Sequence, residues 1–117
     1  MEHGGRAASE LGFVLPDGRD RGKRISFTDE TVGSGGDLRS LVFVHGNPES
    51  SHIFRDVLRC LRGRELPSVR VITFDHVGFG RSDPASYAMG PHDHAAILSR
   101  LLQYLDPVRT TLVVHDW

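Results

Sequence analysis

Short, β-branched apolar runs occur three times in this sequence: Leu41-Val42-Phe43-Val44, Val69-Arg70-Val71-Ile72-Thr73-Phe74 and Thr111-Leu112-Val113-Val114. Each is too short for a helix and apolar enough to be buried between helix layers, as strands of a parallel sheet are. The stretches between them have the other period. Ile53, Phe54, Val57, Leu58 and Leu61 recur at helical spacing, so the sequence predicts a one-sided helix over about 51–62, capped by Ser50 or Ser51 and ended by Gly63. Ala95, Ile97, Leu98, Leu101, Leu102 and Leu105 mark a second helix over about 92–105, stopped by Asp106-Pro107. Strand, helix, strand, helix, strand is the order that right-handed crossovers turn into a parallel sheet, so the expected class is α/β.

The preceding residues read as an edge hairpin. Phe13-Val14-Leu15 is a short strand closed by Pro16-Asp17-Gly18, and Arg24-Ile25-Ser26-Phe27-Thr28 alternates with the period of a half-covered strand. Residues 1–10 are too polar to be ordered by burial and are expected to be a flexible tail, leaving 11–117 as one partial domain. With a net charge of −1 there is no electrostatic footprint for nucleic acid or an anionic membrane. No run approaches the length of about eighteen apolar residues that a membrane helix requires, and the opening residues have no signal-sequence pattern. The one cysteine, Cys60, excludes an internal disulfide and is expected to be a half-buried thiol without a chemical role, consistent with a reducing, cytoplasmic setting.

The chemistry-bearing residues sit where the apolar runs stop. His45-Gly46-Asn47-Pro48, the Gly-rich stretch 75–84 and His115-Asp116-Trp117 each follow an inner strand, and in an open α/β sheet ligands gather at the carboxyl ends of the strands. The three loops are therefore expected to meet in one crevice. Asp116 is the candidate nucleophile there. A carboxylate with an ordinary pKa of roughly 3.9 is ionised at neutral pH, so it attacks carbon without a base to activate it.

Taken together, these three segments resemble the amino-terminal half of an α/β-hydrolase-fold enzyme, closest to haloalkane dehalogenases and their relatives the epoxide hydrolases and β-lactone decarboxylases. The resemblance runs from about residue 13 to the end, and implies a fold truncated at the nucleophile elbow, the sharp strand-to-helix turn that carries the attacking residue. It implies that Asp116 attacks an sp³ carbon bearing a halide, giving an alkyl-enzyme ester that water then hydrolyses with the help of a histidine base. It further implies an oxyanion hole from the backbone N–H groups of Asn47 and Trp117, whose side chains would also donate to a departing halide. His45, Gly46 and Pro48 would shape the loop. No cofactor or metal is implied, and the partner is a small uncharged electrophile. Asn47 tilts the resemblance towards dehalogenases, because epoxide hydrolases usually carry an aromatic residue there. Glu49-Ser50 and Asp75-His76 are reminiscent of epoxide hydrolases and β-lactone decarboxylases respectively.

Plainer readings stand beside these. Asp116 taken alone reads more readily as a solvated strand-end acid or helix N-cap, and it is the convergence of the three loops that reverses this; Trp117 alone reads as a core aromatic, and Asn47-Pro48 as a common turn. His115 should point away from its neighbours and is a poor candidate for the base. Gly78-Phe79-Gly80 lacks the third glycine of a dinucleotide loop. His92-Asp93-His94 does not share a helix face and is expected to decorate a helix N-terminus rather than bind metal. All seven histidines precede Asp116, whereas the family's base comes late, and no cap domain or supporting acid follows. These 117 residues alone are thus expected to be inactive, and to be unstable or to associate with themselves or a complementary chain through an open sheet edge. The competing class is a non-catalytic half-domain or partner-binding remnant.

Overall fold

The computed structural model describes residues 8–116; the expected tail up to residue 7, and Trp117, lie outside the described residues. Five strands form one mixed sheet in the order β1-β2-β4-β3-β5, with β1 at Leu11–Val14, β2 at Arg24–Val32, β3 at Arg39–Val44, β4 at Val69–Phe74 and β5 at Thr110–Val114. β1, β2 and β4 pair antiparallel in sequence along the sheet, while β3 runs parallel to both β4 and β5. The edge hairpin and the parallel core are thus both present, although the first strand starts two residues before the expected 13–15 and ends at Val14, because its pairing with β2 runs from Leu11 opposite Phe27 to Val14 opposite Arg24. β2 runs four residues beyond the predicted stretch because its far half, Asp29 to Val32, pairs with β4.

A helix crosses each face. A 3-10 turn at Ser51–Phe54 leads into α1 at Arg55–Arg62, packing Phe54 and Leu58 against Val32, Phe43 and Val71. α2 at Pro91–Leu105 packs Ile97 and Leu101 on the other face, over Ile25, Phe27, Val42, Val44, Ile72 and Phe74. The two-residue period of the strands makes this division: Val42 and Val44 face α2 while Phe43 between them faces α1.

Three local expectations need correction. The first helix is not continuous from 51, since Ser50 caps a 3-10 turn by accepting the His52 N–H, and Ile53 and Val57 remain largely exposed. Cys60 is exposed, because it lies two residues, over half a helical turn, beyond the buried Leu58. His94 does not decorate the helix end but is buried, in one stripe with Ile97 and Leu101 at the i, i+3, i+7 spacing. Asp93 does sit at the helix start, accepting the Gly90 N–H at 2.8 Å.

The chain passes from β3 through α1 to β4 on one side, then through α2 back across β3 to β5 on the other. Strand order therefore reverses at β3, and the carboxyl ends of β3 and β5 lie side by side at this switch point, where open α/β sheets place their ligands.

Candidate active site

Three loops follow β3, β4 and β5, and the loop after β3 touches both of the others. β3 and β5 stay paired past their ends, with the His115 N–H donating to Val44 O at 3.1 Å. That pairing carries Asp116 alongside Gly46. A methyl group added to Gly46 would lie 2.4 Å from Asp116 Cβ and 2.7 Å from His115 O, so only glycine lets the two loops come this close. Asp116 itself has φ +63°, a left-handed conformation that a non-glycine residue adopts at a cost and that recurs at functional turns. Its side chain is exposed at the mouth of the crevice.

Residues 46–49 form a tight turn around a cis Asn47-Pro48 peptide, closed by the Glu49 N–H donating to Gly46 O at 3.1 Å. Asn47 is exposed at its tip, one residue from the Gly46–Asp116 contact. Sequence reasoning gave no role to Glu49, yet its carboxylate holds the loop. Oε1 accepts the Gly46 N–H at 2.9 Å and also pairs with His115 Nδ1 at 2.9 Å. The His115 partner holds the Glu49 carboxyl below the usual carboxylate range, and the Glu49 carboxylate in turn raises His115.

Below the loop lies a stack of aromatic rings. His45 is fully buried, with Nδ1 2.7 Å from Gly46 O, while the His76 N–H donates to its Nε2 at 3.0 Å. A backbone N–H can only donate, so Nε2 is the acceptor and Nδ1 carries the proton. His76 returns the contact through Nε2, 2.9 Å from His45 O. The rings of His76 and His94 meet edge to face at 4.8 Å, with Phe79 against both. Burial pushes the His76 imidazole down to about 4, helped by the neighbouring His45. His94 is lowered for the same first reason.

The Gly-rich loop is organised by Asp75. Its buried carboxylate accepts the Ser51 N–H at 2.7 Å and the Arg81 N–H at 3.0 Å, joining the start of the 3-10 turn to the far side of its own loop. Ser82 Oγ donates to Asp75 O at 2.6 Å and accepts the Ser26 N–H at 2.8 Å. Gly80, with φ +51°, allows this closure, since a Cβ there would fall 2.4 Å from the Asp75 carboxylate. The glycines therefore serve the turn, and the loop cradles a carboxylate of its own chain.

The structure thus brings together His45, Gly46, Asn47, Pro48 and Asp116, while Trp117 lies outside the described residues. A cavity of about 710 Å³ lies apart from them, lined by Arg55, Arg59, Arg62 and Arg81 among others, and includes none of residues 45–48 or 116.

The chain is similar to known proteins in sequence and in fold. A haloalkane dehalogenase of Mycolicibacterium smegmatis is 38% identical over 103 residues, which cover 82% of this chain and 30% of that protein. A haloalkane dehalogenase of Sphingobium indicum is 35% identical, covering 83% and 31%. The chain thus spans about a third of the length of the curated relatives it matches. Among solved structures, the haloalkane dehalogenase DatA from Agrobacterium tumefaciens C58 superposes with a TM-score of 0.74 at 27% identity, covering 96% of this chain and 34% of that one. An epoxide hydrolase from Vigna radiata, with a TM-score of 0.71 at 20% identity over 94% of this chain and 32% of its own, shares the fold. The model of the α/β hydrolase fold family matches residues 39–117, from the first residue of β3 through the loop that carries Asp116, and this chain belongs to that family.

Proposed function

We propose that these residues carry the nucleophile half of a haloalkane-dehalogenase-type site. The Asp116 carboxylate displaces halide from an sp³ carbon, leaving an alkyl ester on its own oxygen and releasing the halide as an anion. Hydrolysis of that ester returns the carboxylate and an alcohol, and needs a general base. The observation that carries this reading is Asp116 at the end of β5, in a left-handed turn and packed on Gly46 of the loop after β3. A merely solvated strand-end acid has no need of that close approach to a second loop.

Because Glu49 occupies the Gly46 N–H, the loop's next donors towards Asp116 are the backbone and side-chain amides of Asn47. Neutral donors of this kind suit a weakly basic halide, with the Trp117 N–H groups proposed as the second set. Of the histidines in the described loops, His45 and His76 are engaged in the ring stack and His115 in the pair with Glu49. The base is therefore assigned to residues beyond these 117, together with a cap that shapes the pocket. The cytoplasm is the proposed setting, and no helix among the described residues is long and apolar enough to cross a membrane.

The test is to read the open frame past the codon for Trp117 and assay its full product for halide release. A frame that supplies a glycine next, then an acid and a late histidine, and whose product liberates bromide from a bromoalkane, supports the reading. Diol formation from an epoxide without halide release would move the chemistry to the epoxide hydrolase alternative. A stop codon at that point would favour the partner-binding half-domain.

A further inference from the structure

We propose that Glu49 and His115 form a clasp that sets the position of the nucleophile, making them positioning residues for the chemistry assigned to Asp116. One carboxylate oxygen is shared by two groups on different loops: the Gly46 N–H, at 2.9 Å, one residue before Asn47, and His115 Nδ1, at 2.9 Å, one residue before Asp116. The loops it joins are those that must keep a fixed separation, because Gly46 already approaches Asp116 to the limit set by its missing side chain. The left-handed turn at Asp116 costs free energy, and such turns persist when surrounding contacts over-determine them. The β3–β5 ladder supplies one such contact on the backbone side, His115 N–H to Val44 O. Glu49 supplies the other through the His115 ring.

Glu49 is suited to the task. Its side chain is only 20% exposed and is held on a short turn, whereas the His115 ring is 60% exposed and without the carboxylate would rotate into solvent. Each group faces charge from more than one side. His115 lies between the carboxylates of Glu49 and Asp116, and Glu49 feels His115 and, more weakly, His45. His115 is raised above its ordinary 6.5 by Glu49, so the ion pair is complete below 6.5 and lost as pH rises through the raised value. Glu49 is lowered below its ordinary 4.5, so the pair is complete above 4.5 and lost as pH falls through the lowered value. The clasp is fully closed between pH 4.5 and 6.5 and opens as pH passes the lowered Glu49 value on one side or the raised His115 value on the other.

The inference rests on Asp116 being the nucleophile only for its effect on rate; the clasp itself is tested separately. The first readout is the imidazole titration of His115 by NMR in the full 117-residue chain. A midpoint above the ordinary value, falling back towards it in Glu49→Gln, is expected. A wild-type midpoint at or below the ordinary value overturns the clasp, whether or not any variant folds. The second readout is the pH profile of Asp116 alkylation by a bromoalkane, followed by mass spectrometry. It should fall above the His115 midpoint, and Glu49→Gln should slow alkylation on the order of tenfold at a pH of about 6, less than the ~100-fold of a full ångström of misplacement, with the high-pH limb moved. Glu49→Asp, which keeps the charge, should recover part of the rate. A profile unchanged in Glu49→Gln and His115→Gln would overturn the positioning role. If the His115 midpoint is raised but no protein is alkylated at Asp116, the dehalogenase reading fails while the clasp stands.

Discussion

At the scale of single residues, the site depends on two close approaches that only glycine permits. Gly46→Ala would drive a methyl group into Asp116 and the His115 carbonyl, both part of the backbone-defined crevice, and should destabilise the chain by about 1–3 kcal/mol, the usual range for forced overpacking. Urea unfolding measures that cost, and the substitution should also suppress reaction at Asp116. Gly80→Ala combines a left-handed backbone with a clash against the Asp75 carboxylate and should be at least as costly by the same measurement. His76 offers a test through pH. Its imidazole titrates near 4 when folded and near 6.5 when unfolded, so the unfolded chain binds more protons between those values. Stability should therefore be complete above pH 6.5 and fall as pH drops towards 4, by up to about 3 kcal/mol for this one group. His94 is lowered too and adds to the same trend. Unfolding midpoints at pH 7, 6 and 5 check it, and a flat profile would contradict the buried stack.

At the scale of elements, the loops are held to one another more than to the helices. Asp75 joins the 3-10 turn to the Gly-rich loop through two backbone N–H groups, and removing its acceptors in Asp75→Ala leaves both donors without a partner. The expected loss is about 2–3 kcal/mol, with faster amide exchange at Ser51 and Arg81 as the direct sign. Much of this level was legible in the sequence. The span Val69–Phe74 was readable residue for residue because its apolar run ends sharply at Asp75, and the helices end at Gly63 and Asp106 where the sequence places their stops. What was not legible came from side chains meeting across loops. His94 was misplaced because its charge type was weighed above its spacing to Ile97 and Leu101, a signal that was present. The Glu49–His115 pair had no such signal, since 66 residues separate its members and only the β3–β5 register brings them together.

At the scale of the molecule, the crevice is half a cleft. β5 is paired with β3 on one side only among the described residues, and Leu112 and Val114 are 49% and 66% exposed on the face they share with Val42 and Val44. An apolar strand edge in that state recruits another strand. The 117-residue chain by itself should therefore sediment as dimers or larger species, with Val114→Lys shifting it towards monomer. A monodisperse wild-type monomer would contradict this account of the edge.

The proposed chemistry turns on Asp116 acting as a nucleophile towards carbon. It is tested most directly by exposing the chain to a small bromoalkane at neutral pH and locating the modification by tandem mass spectrometry. One alkyl ester is expected, on Asp116, that persists without the base and is absent from Asp116→Asn. An unmodified Asp116 in chain whose His115 titration shows the crevice assembled, or esters scattered equally over exposed acids such as Asp17 and Asp37, would contradict it.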